Sequence, residues 1–497
     1  MRIIEIKLKN FKIFSGEHII RTDSPVVCLV GENNTGKTTV FAAVDFLKNG
    51  VQREKSIDDY KNRSLLDSPV SVEITIEGNL RNVIENFSET RYLPYIFQVD
   101  SKERIRLKRS SEKQSIKQNG KDVHLDEKKL TIYNPETDQF ENPIGFDKAI
   151  GSLLEIQFIW SDMQPDDVVD FSTTKTLGRL LKEISSDFQE SADWKSFLEA
   201  HSKAFESGDD ALLKRAEQMR KDIQSALGDF YGNAEVEFRF SPPDPSSFIK
   251  LGEVLINDGI KTPISEKGSG MQRALALAVI KVYANLLARH EKDSNLAKPI
   301  FFFIDEPEIS LHPKAQAVLV DALHKISERQ QVFITTHSPL FLKCLGLNRT
   351  AISVFSRDRD AISTKAAETA NTFSFSPTLS EIIFSAYDLP TEEFHNELYA
   401  HICEVTKSDN STKLDTWLKE NAEISLEKEW IRIKNGGYTN PQPVSLMTYI
   451  RHSIHHPENN ANQRYTEEEL RRSIQTMLNI IKSDTFSSLT RPIHERC

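Results

Sequence analysis

The chain has 497 residues, enough for about two to four domains, and its 63 basic and 73 acidic side chains give a net charge of −10. This charge excludes a protein that is basic overall, so any contact with nucleic acid has to be local. The four cysteines lack the C-x-x-C spacing of zinc ribbons, and no run of about 18 apolar residues occurs, so we expect a soluble, cytoplasmic protein that does not cross a membrane.

Residues 1–95 are predicted to form a first lobe with several strands. Residues 1–8 alternate apolar and polar side chains, as a strand does, and lack the apolar core of a signal peptide. The apolar run at 26–30 predicts a buried strand. Residues 70–76 alternate again, which predicts an antiparallel strand with one buried face.

Residues 31–39 match the phosphate-binding pattern G-x-x-x-x-G-K-[S/T], between that buried strand and a helix predicted from Thr38 to about Leu47. The glycines let backbone N–H groups face phosphate oxygens, and the helix adds its positive N-terminal end. Lys37 is predicted to reach the β- and γ-phosphates, and Thr38 to hold Mg²⁺. The residues predicted to bind ATP here are Gly31, Asn33, Asn34, Thr35, Gly36, Lys37, Thr38 and Thr39. The string Lys9-Asn10-Phe11-Lys12 ahead of this loop resembles the opening of SMC, RecF and OLD-family ATPases.

Residues 96–260 are predicted to be an insertion with a basic hairpin and helices. Eight basic side chains occur from 102 to 121, and this face would contact nucleic acid or an acidic partner. The alternative is a solvated hairpin whose lysines prevent edge pairing. Helical spacing of apolar residues over 175–231 predicts about three amphipathic helices, followed by a strand at 236–240 and a hairpin with its turn at 257–259.

Residues 265–273 precede an apolar helix and resemble the signature segment of ABC-type ATPases. In that class a serine and glycine amides at a helix N-terminus bind the γ-phosphate of ATP held by the other protomer. The order Gly-Ser-Gly-Met-Gln differs from the usual serine-glycine-glycine, and an ordinary capped helix is the alternative. The resemblance assigns ATP binding to Ser269, Gly270 and Gln272.

Residues 301–306 form an apolar run that ends in two acids, Asp305 and Glu306. Asp305 is predicted to hold Mg²⁺ through water, and Glu306 to polarise the water that attacks ATP. Residues 306–313 resemble the E-P-E-x-x-L-H-P string of RecF and OLD-like ATPases. A later T-T-H-S-P segment resembles the one whose histidine senses the γ-phosphate, which makes His337 the switch residue. The predicted catalytic residues are Lys37, Glu306 and His337.

These elements occur in the order found in ABC-type ATPases, which implies an α/β P-loop fold with a parallel core sheet and an antiparallel side sheet. The expected parts are the first lobe at 1–95, the insertion at 96–260, a second ATPase lobe at 261–375 and an all-α C-terminal domain at 376–497. The resemblance also implies that two chains enclose two ATP molecules, in a homodimer or a higher homo-oligomer.

The C-terminal domain carries a separate candidate site. Arg451 and His456 fit the R-x4-H pattern of HEPN ribonucleases, in which a histidine takes the 2′-hydroxyl proton and an arginine stabilises the phosphate. The alternative is that these histidines bond helix ends or dock a partner. The neighbouring His-His and Asn459 resemble an HNH nuclease only superficially. OLD nucleases carry a Toprim domain in this part of the chain, and its acidic pattern is missing here, so the OLD resemblance ends near Phe355.

An ATPase of this length with a helical tail resembles the PtuA-type ATPases of bacterial anti-phage systems. The resemblance implies an ATPase that controls a separate HNH nuclease of the PtuB type, as in Septu systems, and in retrons a reverse transcriptase and its msDNA as well. Two other functions stay open at this point: a self-contained ATP-gated ribonuclease that uses the R-x4-H pair, and a RecF-like DNA-repair ATPase.

Overall fold

The computed structural model describes residues 1–490 with gaps at 119–120, 162–176, 178–180, 182–187, 233–234, 243, 250–251, 269, 273, 277, 280–281, 283–298, 310, 359–360, 367–371, 374–376 and 435–436. The chain forms two compact units. The first comprises Met1–Ser161, Lys298–Glu308 and Gln316–Cys497, and the second comprises Asp162–Ala297 and Ile309–Ala315. Among the described residues, no helix combines the length and apolar character that crossing a bilayer requires.

The strands of the described residues are β1 (Arg2–Lys9), β2 (Glu17–Arg21), β3 (Val26–Gly31), β4 (Ser71–Glu77), β5 (Phe97–Val99), β6 (Lys102–Ser110), β7 (Gln114–Gln118), β8 (Lys121–Leu125), β9 (Thr131–Asn134), β10 (Gln139–Glu141), β11 (Glu155–Ile159), β12 (Leu255–Asn257), β13 (Lys261–Pro263), β14 (Ile300–Asp305), β15 (Gln331–Thr336), β16 (Ala351–Asp358), β17 (Ala361–Ala366), β18 (Lys428–Trp430), β19 (Ile433–Lys434), β20 (Gly437–Tyr438) and β21 (Gln442–Val444). The α-helices are α1 (Lys37–Asn49), α2 (Leu80–Asn86), α3 (Phe146–Leu153), α4 (Ala192–Ser202), α5 (Leu212–Arg215), α6 (Glu217–Tyr231), α7 (Pro245–Ile249), α8 (Pro313–Ser327), α9 (Pro339–Leu345), α10 (Leu379–Tyr387), α11 (Glu392–Val405), α12 (Ser411–Asn421), α13 (Leu446–His455), α14 (Glu467–Ile481) and α15 (Asp484–Thr490).

The core sheet has six strands in the order β11-β14-β15-β3-β16-β17. All neighbours are parallel except β17, which is antiparallel to β16. Strands β3, β14 and β15 are buried at every residue. The runs of β3 and β14 are almost wholly apolar, as a parallel sheet between two layers requires, whereas β15 is apolar at Val332–Ile334 and buries Gln331, Thr335 and Thr336 at its ends. Their carboxyl ends therefore meet at one edge, where ligands bind in sheets of this type.

The side sheet is antiparallel and has the order β10-β9-β6-β4-β1-β2, with β5 also paired to β6. Its apolar face and that of helix α1 belong to one large hydrophobic core together with residues of β3, β14 and β15. The predicted antiparallel strand at 70–76 corresponds to β4, and the predicted helix after the loop corresponds to α1. The predicted fold class, a parallel core with an antiparallel side sheet, is confirmed.

The basic stretch 102–121 is not one hairpin with a basic face. Its first half is strand β6, which lies inside the side sheet, and only β7 and β8 form a hairpin, whose turn falls outside the described residues. Within β6, Arg104 pairs with Glu77 at 2.8 Å and Arg106 with Glu73 at 3.3 Å. Arg109 is buried and donates to the backbone carbonyl of Leu47 at 2.9 Å. Three cations of this strand are thus engaged within the fold, and a nucleic-acid contact by the rest of the stretch stays a prediction.

The eight basic residues of that stretch are Lys102, Arg104, Arg106, Lys108, Arg109, Lys113, Lys117 and Lys121.

The second unit contains helices α4 to α7 and the hairpin β12–β13. The predicted hairpin with its turn near 257–259 is correct, but the predicted strand at 236–240 is wrong. The backbone carbonyl of Val236 accepts from the guanidinium of Arg220 on α6 at 3.0 Å, so its polar groups bind a helix side chain rather than another strand. Of the predicted helical residues near 180, Leu180 and Ile184 lie outside the described residues.

The C-terminal region is mainly helical, as predicted, and packs α11, α12, α13 and α14 around one apolar cluster. Local sequence sets the helix starts: Thr378 and Thr466 each form a capping box with a glutamate three residues on, and Thr391 accepts from the N–H of Phe394. The structure adds two small hairpins, β18–β21 and β19–β20. Their strands have two or three residues, too few to show the alternation by which strands are recognised in a sequence.

His395 makes the stability of this region depend on pH. The side chain is fully buried on α11, with Nε2 3.0 Å from Oγ of Ser473, and burial lowers its pKa to about 3. Since the unfolded histidine titrates near 6.5, the stabilisation from the neutral ring is complete above that pH and declines as the pH falls from about 6.5 toward 3. When the pH is lowered from 6.5 to 5, the free energy of unfolding should decrease in both proteins. We expect the decrease to be about 2 kcal/mol smaller in His395→Gln than in the unaltered chain, measured by urea denaturation. His124→Gln, on the exposed strand β8, is the control and should leave the pH slope unchanged.

Candidate nucleotide-binding site

The loop after β3 has a backbone that only glycine accommodates at two points. Gly31 has a φ of 151°, and a Cβ atom there would lie 2.2 Å from the carbonyl oxygen of Phe355 on the paired strand β16. Gly36 has a φ of 103°, and a Cβ atom would lie 2.9 Å from the ring of Phe14. The tight turn at the carboxyl end of β3 thus depends on both glycines.

This dependence gives a prediction for Gly31→Ala. The added methyl group would push β3 away from β16, so we expect a loss of more than about 2 kcal/mol in the free energy of unfolding, measured by urea denaturation. Gly16→Ala is the matched control, because Gly16 also has a positive φ of 77° but has open space around its Cβ position. It should cost about 1 kcal/mol, and equal losses in the two variants would contradict the steric explanation.

Lys37 lies inside the loop. Its side chain is 4% exposed, and Nζ donates to the backbone carbonyls of Gly31 at 2.9 Å and Glu32 at 2.7 Å. Burial lowers the pKa of Lys37, and the nearby carboxylates of Glu306 and Asp305 oppose this effect. A buried ammonium group beside several loop amides is suited to a phosphate anion, which would supply the charge compensation.

The remaining predicted loop residues differ in exposure. Asn33, Asn34 and Thr38 are exposed, Thr39 is half-buried, and Thr35 is buried with its hydroxyl donating to the carbonyl of Glu32 at 2.8 Å. Asn34 has a φ of 64°, in the left-handed region that asparagine tolerates better than most residues. The exposed side of the loop therefore carries the residues that would border a ligand.

Asp305 is held by three hydroxyl groups at the carboxyl end of β14. Thr38 and Thr335 donate to Oδ1 at 2.9 and 2.6 Å, and Ser161 donates to Oδ2 at 2.7 Å. Asp305 is 1% exposed, so these bonds fix its orientation. A threonine hydroxyl in contact with a carboxylate offers the hard oxygen ligands that Mg²⁺ prefers, so the residues present fit this ion. Sequence reasoning missed Ser161 and Thr335, and it is the sheet register of the folded chain that places Thr335 opposite Asp305.

Glu306 follows with a φ of 45°, a strained conformation for a non-glycine residue. Its N–H donates to both the backbone carbonyl of Thr335, at 3.2 Å, and the Thr335 hydroxyl, at 3.0 Å, which holds the turn. The carboxylate Oε1 lies 3.3 Å from Nδ1 of His337. The structure thus brings together two of the predicted catalytic residues at the edge where β14 and β15 end.

Glu308 fixes the segment that carries His337. It is 5% exposed, and its Oε1 accepts from the Thr336 hydroxyl at 2.5 Å, while the Thr336 hydroxyl oxygen accepts from the N–H of Ser338 at 3.0 Å. Burial raises the pKa of Glu308.

The hydroxyl of Tyr387, on α10, is buried, and the pKa of this group is raised by burial and then by Cys28 and Glu308. Sequence reasoning did not assign a role to Glu308 or to Tyr387.

The residues of the signature segment lie in the second unit. The Gln272 side-chain amide donates to the carbonyls of Ile264 at 3.0 Å and Ser265 at 3.2 Å, and Gly270 begins a helical turn. Ser269 lies outside the described residues. Their role in binding ATP held by another chain stays a prediction.

Arg451 and His456 make separate contacts. The guanidinium of Arg451 donates to Oδ1 of Asn396 on α11 at 2.6 Å and lies over the ring of Tyr399, 5.7 Å from its centroid. His456 follows the end of α13, where its Nδ1 lies 3.3 Å from Oε1 of Glu458. These contacts do not join the two residues to each other, and their ribonuclease role stays a prediction.

The sequence of this chain matches a known protein family. The family described as the AAA ATPase domain matches residues 1–342, more than half of the chain. The chain belongs to this AAA ATPase family. The prediction of an ATPase is thereby confirmed.

Two curated relatives of this AAA ATPase are OLD nucleases. The protein of Escherichia phage P2 is 26% identical over 357 residues, which cover 69% of this chain and 57% of the relative. The protein of Thermus scotoductus is 23% identical over 371 residues, which cover 71% of this chain and 62% of the relative. The chain thus spans about three-fifths of the length of these relatives.

Similar solved structures include an SMC head bound to the C-terminal winged-helix domain of ScpA, at 15% identity and a TM-score of 0.43, with 75% of this chain and 100% of that chain covered. Another is the SMC head domain from Thermotoga maritima, at 13% identity and a TM-score of 0.34, with 74% of this chain and 99% of that chain covered.

Proposed function

We propose that this AAA ATPase is the PtuA-like subunit of a bacterial anti-phage complex, of the Septu or retron type, and that its nucleotide state controls a partner nuclease of the HNH (PtuB-like) class. The observation that carries the proposal is the position of α10. This first helix of the C-terminal region packs on β3 and β16, and the pKa of its Tyr387 is raised by burial first and then by Cys28 of β3 and by Glu308. A change at the nucleotide site therefore has a direct route into the helical region that would hold the partner.

The hydrolytic part of the proposal assigns each residue a task. Lys37 and the loop amides bind the β- and γ-phosphates, and Thr38 with Asp305 holds Mg²⁺, which neutralises the phosphate charge when bound. Glu306 accepts a proton from the attacking water, and His337, 3.3 Å from it, contacts the γ-phosphate. The bonds from Ser161 and Thr335 keep the Asp305 carboxylate directed at the metal position.

The assembly follows from the signature residues. Ser269, Gly270 and Gln272 complete the ATP site of a second copy, so ATP would hold a homodimer or a higher homo-oligomer together. In a retron-type complex a reverse transcriptase and its msDNA would join the same assembly. The helical region after α10 is the docking surface for the nuclease, since α11 to α14 form one packed body joined to the ATPase core through α10.

The test is a nuclease assay with the purified full chain, alone and together with a purified HNH nuclease of the PtuB type. We expect DNA or RNA cleavage only in the mixture and a change of its rate on replacing ATP by a non-hydrolysable analogue. Cleavage by the chain alone would contradict the proposal, and so would a mixture whose cleavage ignores the nucleotide. Tyr387→Phe tests the route: it should leave ATP hydrolysis near normal and weaken the nucleotide response of the partner.

A further inference from the structure

A cavity of about 280 Å³ lies at the end of α13, among residues that take no part in nucleotide binding. Its lining includes Trp430, Arg432, His452, His456, Glu458 and Asn459. Trp430 is 2% exposed, and the ring of His452 packs on it with a centroid distance of 5.3 Å. The cavity therefore has a rigid aromatic wall and several groups that can carry positive charge.

His452 has an unused nitrogen in this wall. Its Nε2 is buried and has no hydrogen-bond partner among the residues that the structure describes. Burial lowers the pKa of His452 to about 4, helped by the positive charges of Arg432, His456, Arg451 and His455. A buried polar atom without a partner costs free energy, so the ring of His452 is held in place by its packing on Trp430 rather than by a bond to Nε2.

Positive charge reaches the cavity from a second element. Arg432 follows β18, its side chain is exposed, and it forms no ion pair with any described residue. Its backbone is fixed, because its N–H donates to the Thr439 hydroxyl at 3.0 Å. Glu458 is the acidic residue in the lining, and its carboxylate lies 3.3 Å from Nδ1 of His456. The exposed guanidinium of Arg432 is therefore available to bind an anion at the cavity.

We propose that this cavity binds a phosphate group, held by Arg432, His452 and His456. Donors from two separate elements around one space suit a tetrahedral oxyanion, whose oxygens accept from several directions, better than a planar carboxylate. The volume exceeds that of one phosphate, which leaves room for a sugar-sized group. The ligand class is thus a phosphate monoester, such as the terminal phosphate of a nucleotide.

The site links anion binding to proton uptake. His452 is neutral when no ligand is bound. A bound anion favours the charged form of the ring and therefore raises the pKa of His452, so the affinity for the anion increases as the pH falls. Sulfate is a good probe, because it stays a dianion between pH 6 and 8 and any pH dependence then belongs to the protein. Since the loop around Lys37 also attracts sulfate, all measurements use the Lys37→Ala background.

The experiment is calorimetric titration of the full chain with sulfate, together with NMR of ¹³C-labelled histidine rings. We expect sulfate to bind at least about tenfold more tightly at pH 6 than at pH 8, and both Arg432→Ala and His452→Gln to weaken binding about tenfold or more. Arg464→Ala and His455→Gln are matched controls outside the cavity and should bind as the background does.

Unchanged binding in both cavity variants overturns the proposal. Acetate that binds as tightly as sulfate also overturns it, because the cavity would then be a carboxylate pocket. If a cavity variant folds poorly, the NMR titration of the Lys37→Ala background still tests the proposal. Sulfate must shift the titration midpoint of His452 to higher pH, and an unchanged midpoint refutes phosphate binding. This inference does not depend on the proposed nuclease partner.

Discussion

Replacing Glu306 by glutamine is expected to slow ATP hydrolysis by roughly 10²- to 10³-fold and to leave ATP binding intact, since a positioned general base contributes about 10²- to 10⁴-fold. Glutamine keeps the shape of the side chain and the backbone bonds from residue 306 to Thr335, which hold its strained turn. What it loses is the carboxylate that faces His337 and that we propose accepts the proton of the attacking water. Steady-state hydrolysis at saturating Mg²⁺-ATP measures the first effect.

The same variant should accumulate an ATP-bound oligomer, visible by size-exclusion chromatography with light scattering. Glu308→Gln is the matched control, because Glu308 lies two residues further on and burial already favours its neutral form. It retains an acceptor for the Thr336 hydroxyl and should hydrolyse ATP within about twofold of the unaltered chain. Glu306→Gln that turns over ATP at the normal rate would remove the assignment of the base.

Lys37→Ala is the second variant with a large expected effect. The ammonium group is placed inside the loop by two carbonyls, and each charge-assisted bond it gives to a phosphate is worth about 1.5–3 kcal/mol, so we expect ATP to bind about 30- to 100-fold more weakly. Fluorescent-nucleotide titration measures this loss. Lys55→Ala, at an exposed lysine of the same unit, is the control and should bind ATP normally.

Urea unfolding of Lys37→Ala shows whether the loss of ATP binding has a structural cause. Burial lowers the pKa of Lys37, which means that the folded chain pays a free-energy cost to keep the ammonium charged. Without nucleotide, the variant should therefore unfold at the same urea concentration as the unaltered chain or a higher one. A lower midpoint would show that the lysine supports the loop itself, and the loss of binding would then have a structural cause.

The loop, the acidic pair and the histidine could be predicted because each is a local pattern. Lys37 and Thr38 follow one another in the chain, and Asp305 and Glu306 end one apolar run. Short-range chemistry of this kind survives folding, because the backbone between the residues leaves few alternatives.

Contacts between distant segments could not be predicted. Ser161, which donates a hydrogen bond to Asp305, lies 144 positions before it in the chain. Thr335 reaches the same carboxylate only because the register of the two strands places it opposite Asp305. The basic stretch misled for the same reason: its composition gives the charges, but the acids that pair with Arg104 and Arg106 come from β4, a strand that neighbours it only in the sheet. The strand predicted at 236–240 had the right alternation, but these residues pair with no strand in the part of the chain that the structure describes.

The aromatic packing beneath the site has a practical consequence. Phe303 of β14 stacks on Phe333 of β15 at 4.3 Å, and Trp160, just after β11, stacks on Phe158 at 5.3 Å. Trp160 is half-buried and is joined by one peptide bond to Ser161, whose hydroxyl donates to the carboxylate of Asp305. One of the four tryptophans of the chain therefore lies beside the proposed nucleotide site, and we expect its emission to report nucleotide binding without any added label.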